Sequence, residues 1–211
     1  MRIYLLLFGL LCLGLRSQAA PTDEEKNTDN KRWKNGFIVN LQGDTIRGKV
    51  KITDFLDVYY DYQRKLEFKD HSGITEYTPT ELNSFSYYAD RDSMVTLQSV
   101  SSPQGDGHVF LRLYFTGVCK VYGFMITELK PGNQSTSQKG DGLIHSSLFP
   151  TEKKYIQIAG SQFFPLKRFG FKRDMREVFA ACPHILSRIE TKEYTYDNWQ
   201  TLIRDYNCGC K

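Results

Sequence analysis

The stretch VFLRLYFTGVCKVYGFM, residues 109–125, decides the fold. In its first half Val109, Leu111, Leu113 and Phe115 fall on every second residue, the period of a β-strand with one apolar face. Thr116-Gly117 turns the chain. In the second half Cys119, Val121, Gly123 and Met125 form one face, and Val118, Lys120, Tyr122 and Phe124 the other. Both faces carry bulk, so this strand is expected at the centre of a sheet with material on either side.

The same period extends toward the N-terminus. Residues 36–41 read as a strand, 42–45 (Gln-Gly-Asp-Thr) as a tight hairpin turn, and Ile46, Gly48, Val50 and Ile52 as one face of the returning strand. Residues 66–69 and 74–77 flank Asp70-His71-Ser72-Gly73, giving a second hairpin. Residues 85–88 and 94–100 flank Ala89-Asp90-Arg91-Asp92, giving a third. Thirteen Tyr and fourteen Phe suit such pleated surfaces. On the other side, residues 130–142 lack any large apolar side chain and read as a loop; 143–149 and 154–158 read as two returning strands, and 162–166 leads out of the sheet.

Beyond Leu166 the period changes. Phe171, Met175, Val178, Phe179 and Cys182 recur at helical spacing. Pro183 suits the first turn of a second helix with Ile185, Leu186 and Ile189 inward. Thr195 is the expected N-cap of a third, carrying Trp199, Leu202, Ile203 and Tyr206, with Asn207 and Gly209 as terminators. The expected class is α+β: a mostly antiparallel sheet body, barrel-like or sandwich, followed by about three short C-terminal helices. The β-rich domain covers 36–166, with regular structure starting at Trp33 or Gly36, and the helical unit covers 167–211.

The N-terminal segment reads as targeting. Arg2 is followed by an apolar run over residues 3–15, too short to span a bilayer, and Ser17-Gln18-Ala19 offers small residues for cleavage. A signal peptide is therefore expected over 1–19 and a polar lead-in over 20–35. Cys12 does not sit in a lipobox, since Leu11 stands where a small residue is required, so lipid anchoring is disfavoured. The expected location is periplasmic or secreted, with no transmembrane segment. The formal net charge is +4, and Arg2 and Arg16 leave with the leader, so about +2 remains and nucleic acid is not an expected partner. The local exception is the run from Lys167 to Arg173, four cations without an acid, read as a solvated helix entrance over an anion site.

The motif Gly36-x-Ile38 with Gly43-Asp44-Thr45-Ile46-x-Gly48-x-Val50, together with Phe171, Cys182-Pro183, Ile189 and Tyr206-Asn207, is similar to a family of exported Bacteroidota proteins with no assigned activity. The resemblance runs from Gly36 to about Asn207. It implies an envelope or secreted location in a Gram-negative cell and supplies no catalytic residues.

No motif for nucleophilic catalysis, phosphate binding or a cofactor is present. The four histidines, His71, His108, His145 and His184, include no pair at metal-ligand spacing. The sharpest cluster is sulfur. An oxidising compartment favours a structural disulfide from Cys182 to Cys208 or Cys210. The alternatives are a zinc site of three thiolates with His184, or a Cys208–Cys210 redox pair. Cys119 reads as a buried, inert thiol. Two aromatic clusters, Tyr59, Tyr60 and Tyr62 in one and Tyr87 and Tyr88 in the other, are candidate contacts for a protein or glycan partner. The leading expectation is a non-catalytic binding module; a hydrolase of envelope polymers and a thiol or zinc protein are the alternatives.

Overall fold

The computed structural model describes residues 32–52, 61–130 and 147–210. The expected leader, the lead-in up to residue 31 and the 130–142 loop beyond Lys130 lie outside them. The protein is α+β, and its described residues form ten antiparallel strands in one sheet and three C-terminal helices. The strands are β1 (Trp33–Asn40), β2 (Thr45–Lys51), β3 (Leu66–Asp70), β4 (Gly73–Tyr77), β5 (Leu82–Tyr88), β6 (Met94–Ser101), β7 (His108–Phe115), β8 (Cys119–Lys130), β9 (Ser147–Ile158) and β10 (Phe164–Leu166). A short turn of helix, α1 (Asp61–Arg64), interrupts the sheet. The C-terminal unit comprises α2 (Phe171–Val178), α3 (Pro183–Glu190) and α4 (Trp199–Gly209).

Each predicted hairpin forms. The first is closed by Asn40, whose side-chain Oδ1 accepts the Asp44 and Gln42 N–H groups at 2.8 and 3.0 Å, while Gly43 supplies the left-handed residue at φ +90°. Residues 143–146 lie outside the described residues; from Ser147 on, the two strands expected over 143–149 and 154–158 are one, β9. Its Pro150 opposes Thr127 of β8 but lies beyond the three residues that pair with β10, so its missing N–H costs no ladder bond there.

The strand order is β10-β9-β8-β7-β6-β5-β1-β2-β3-β4. β4 and β5 are joined by Thr78 to Glu81, yet four inter-strand steps separate them, about 19 Å in a flat sheet. The link could span about 18 Å only if fully stretched, and it is not stretched. The Glu81 N–H bonds the Thr78 carbonyl at 3.1 Å, and the Glu81 carboxylate takes the Thr78 N–H and hydroxyl at 2.7 and 2.8 Å. The sheet must therefore roll, bringing β4 back toward β5. The Ser99 hydroxyl of β6 donates to the Pro79 carbonyl, placing the link over the inner face. The body expected as a barrel or sandwich is thus one continuous sheet, rolled at one end and not closed.

The roll encloses Ile38, Val50, Phe68, Phe85, Leu97 and Phe110, all buried. Phe85 and Phe110 meet edge to face at 5.0 Å. Gly48 makes room for the Phe68 ring, since a Cβ there would lie 2.5 Å from its Cζ. The same sheet face continues into Cys119, Val121, Ile156 and Leu166, and here the helices cover it with Met175, Phe179, Ile185, Ile189, Leu202 and Ile203. On the reverse face Val109, Leu111, Tyr122 and Phe124 are buried as well. The central position read for residues 119–125 is observed: β8 lies between β7 and β9 and is buried on both sides.

Asn207 locks the helical unit to the sheet. Its Oδ1 accepts the Cys119 N–H at 2.8 Å, and its Nδ2 donates to the carbonyls of Cys119 at 2.9 Å and Thr116 at 3.3 Å. The carboxamide thus takes the place of a peptide group beside the start of β8. Gly117, at φ +137°, lies against it; a Cβ there would fall 2.7 Å from the Asn207 Cγ. The expected helix terminator is a sheet ligand instead, and α4 continues past it to Gly209.

Asn207→Ala strands buried backbone groups and is expected to cost about 3 kcal/mol in chemical denaturation. Asn207→Asp, the same shape, should cost at least as much, because it keeps the acceptor but faces two carbonyls without a donor. Equal stability of Asn207→Asp and the parent would refute the peptide-mimic role.

Candidate functional site

The aromatic candidates separate. Tyr59 and Tyr60 lie outside the described residues, as does the side chain of Tyr62. Tyr87 and Tyr88 point to opposite faces, as neighbours in a strand must. Tyr87 packs half-buried at the rim of the rolled core, where burial raises its phenol pKa. Tyr88 is 45% exposed on the outer face.

That outer face is built from the strand register. Tyr88 opposes Met94, itself 51% exposed. On the far side of β1, Asn35 opposes Lys49, Lys49 opposes Lys69, and Lys69 opposes Ile74, which is 59% exposed. One line across the outer face of the roll therefore carries exposed apolar groups at its ends and cations between them. Arg47, one row away, opposes the half-buried Phe37. Directly opposed like charges destabilise a sheet, and among the described residues neither Lys49, Lys69 nor Arg47 has an ion-pair partner. Lys51, by contrast, pairs with Glu67 at 3.0 Å and sits 5.8 Å from the Trp33 ring centre. The sequence held a signal for this surface: the cations Arg47, Lys49 and Lys51 alternate with the apolar face of the same strand. The cross-strand meeting of Lys49 with Lys69 requires the register.

A second polar group lies on the inner face between the two cores. Tyr114 donates to both Glu152 oxygens at 2.7 Å, Lys154 bonds Glu152 at 3.2 Å, and Arg112 and Lys154 flank the Tyr114 ring at 4.8 and 5.2 Å. Gly123 opens the space, since a Cβ there would meet Glu152 Oε1 at 2.3 Å. Burial and then the Glu152 carboxylate push the Tyr114 phenol well above its ordinary range, so it stays a donor. The members engage one another, the pattern of a structural seam.

The basic run does not form an open anion site. Lys167 and Arg173 pair with Asp174 at 3.3 and 2.8 Å, Arg168 with Asp197 at 2.5 Å, and Lys172 with Glu190 at 2.7 Å. Arg176 also bonds Glu190. What the run does present is Phe169, 88% exposed, beside Gly170 at φ +78°.

The sulfur cluster resolves to a Cys182–Cys210 disulfide, with Cα atoms 6.0 Å apart. Cys182, expected on the stripe of the first helix, instead caps the second. Cys208 is free and exposed, and Cys119 is free, fully buried and pushed up to about 12 by that burial. His184 lies beside the disulfide, with Nδ1 3.4 Å from the Cys182 sulfur and 3.8 Å from that of Cys210. Among the described residues, these three bring together donor atoms that would suit a soft metal ion. No helix among the described residues is long and apolar enough to cross a membrane.

No family model matches this chain, and no curated protein or solved structure matches it.

Hydrogen bonds, first from Arg176 and then from Lys172, hold the Glu190 carboxyl at a pKa of about 2, well below the ordinary carboxylate range. A lowered folded-state pKa adds stability that is complete above the unfolded value and lost as pH falls through the folded one. The α2–α3 contact should therefore weaken between about pH 4.5 and pH 2. The effect will be small, because the pair is exposed. Thermal melts at stepped pH should show the parent losing its advantage over Glu190→Gln in that window; parallel curves would exclude the effect.

Proposed function

We propose that this protein is an exported, non-catalytic binding module that takes an acidic glycan on the outer face of its rolled sheet half. The observation that carries the reading is the opposed pair Lys49 and Lys69, without an acid partner among the described residues, in a line that runs through Asn35 and ends near Tyr88 and Met94. Two cations on adjacent strands cost stability in isolation and suit a partner whose carboxylates or sulfates neutralise both. The Tyr88 ring adds a broad apolar surface with a polar tip, which suits stacking on a sugar ring. Export rests on the composition of residues 1–19, with Arg2, the apolar run and Ser17-Gln18-Ala19. The hydrolase alternative draws little from the ionisable group on the inner face, because both Glu152 oxygens are already engaged by Tyr114 and Lys154.

Binding to a uronic-acid polysaccharide, measured calorimetrically at low and high salt, tests this. The parent should bind, and binding should weaken as salt rises. Lys49→Glu/Lys69→Glu should lose at least about 10-fold, given ~1 kcal/mol or more per charge contact of this kind, while fold stability stays about the same, because one opposed like-charge pair replaces another. A parent that binds a neutral polysaccharide equally well, or a double variant with unchanged affinity, would overturn the reading.

A further inference from the structure

A structural disulfide requires no imidazole, yet His184 stands against both sulfurs of Cys182–Cys210. Its position is specific. Cys182 caps α3, Pro183 fixes the first helical residue, and His184 follows in the first turn. From the other side the chain passes the ring at Gly209, where a Cβ would come within 3.2 Å of its Cε1. The three donor groups lie within 4.8 Å of one another.

Those spacings fit a metal. A tetrahedral zinc ion with Zn–S of about 2.3 Å and Zn–N of about 2.05 Å sets its sulfur and nitrogen ligands about 3.6 Å apart and two sulfurs about 3.8 Å apart. The observed nitrogen-to-sulfur separations are 3.4 and 3.8 Å. The nitrogen is already placed, and only the two sulfurs have to part. Two thiolates with an imidazole make a soft donor set that selects zinc over magnesium or calcium. Cys182 is 4% exposed and at a helix N-terminus, where a thiolate is stabilised, whereas His184 is exposed to solvent and gives access.

We propose that Cys182, His184 and Cys210 form a thiol-gated zinc site, closed as the disulfide and opened by reduction. The step balances. A dithiol reductant attacks the disulfide, passes it two electrons and leaves as its own cyclic disulfide, and Cys182 and Cys210 become thiols. Zinc then enters as each thiol gives up its proton, with neutral His184 binding through Nδ1 and water in the fourth position. Bound zinc holds both sulfurs as ligands and so blocks their reoxidation.

The full chain, with cobalt(II) as a spectroscopic stand-in for zinc, tests this. After reduction and removal of the reductant, the parent should bind one equivalent with thiolate-to-cobalt charge-transfer absorption, and zinc should displace it; the oxidised parent should not bind. Because Cys182 is buried in the helical core, the exposed His184 carries the decisive variant. His184→Ala should weaken binding by more than about 100-fold, beyond what loss of an outer-shell partner costs, and Cys208→Ser should leave it within a few-fold of the parent. Zinc should also slow diamide-driven disulfide formation in the parent, read by intact mass, and not in His184→Ala. A reduced parent without the charge-transfer band would overturn the proposal, as would binding that survives His184→Ala or requires Cys208.

Discussion

The Asn207 carboxamide is the contact on which the arrangement of this protein rests. Just past the β7–β8 turn, Cys119 has β9 on one side and no strand partner on the other, at a position with zero solvent exposure. A helix side chain supplies both missing bonds. The bond pair fixes the rotation of α4 about its own axis, so Leu202, Ile203 and Tyr206 face Cys119, Val121 and Ile156 together. It also holds the end of α4, and therefore Gly209 and Cys210, beside the start of α3. The disulfide and the His184 contact follow from that placement.

The second organising constraint is the short link between β4 and β5. It forces a continuous sheet to curl, and curling divides one sheet face into two environments. Inside the roll the face packs against itself through Phe68, Phe85 and Phe110; beyond it, the helices complete the core. The Tyr114–Glu152–Lys154 group occupies the border, where neither cover is complete and polar groups retain partial access to water. The outer face of the roll is left with the opposed cations Lys49 and Lys69 and exposed apolar groups in one row, beside the row in which Lys51 pairs with Glu67. The proposed partner surface and the proposed metal site therefore lie on different elements, one on the strands of the roll and the other at the α3 and α4 termini.

Much of the architecture was legible in the chain. Alternation over 109–125 predicted a strand buried on both faces, and β8 is one. The helical stripes placed Met175, Phe179, Ile185, Ile189, Leu202 and Ile203 inward, and all are buried. These features were readable because they depend on neighbours two to four residues away. The site was less legible. Tyr87 and Tyr88 read as one cluster because they adjoin in sequence, yet the pleat sends them to opposite faces. Asn207 read as a helix end because its partners, Thr116 and Cys119, are about ninety residues distant.

The sequence by itself determined the class of elements, their order and the supply of sulfur and imidazole near the C-terminus, because periodicity and composition act locally along the chain. It left two disulfide pairings open for Cys182. Tertiary structure decided between Cys208 and Cys210, opposed Lys49 to Lys69, rolled the sheet without closing it and set His184 against the sulfurs. Each of those outcomes depends on strand register or helix rotation. Both are fixed by long-range packing and by buried backbone groups that must find partners across the fold.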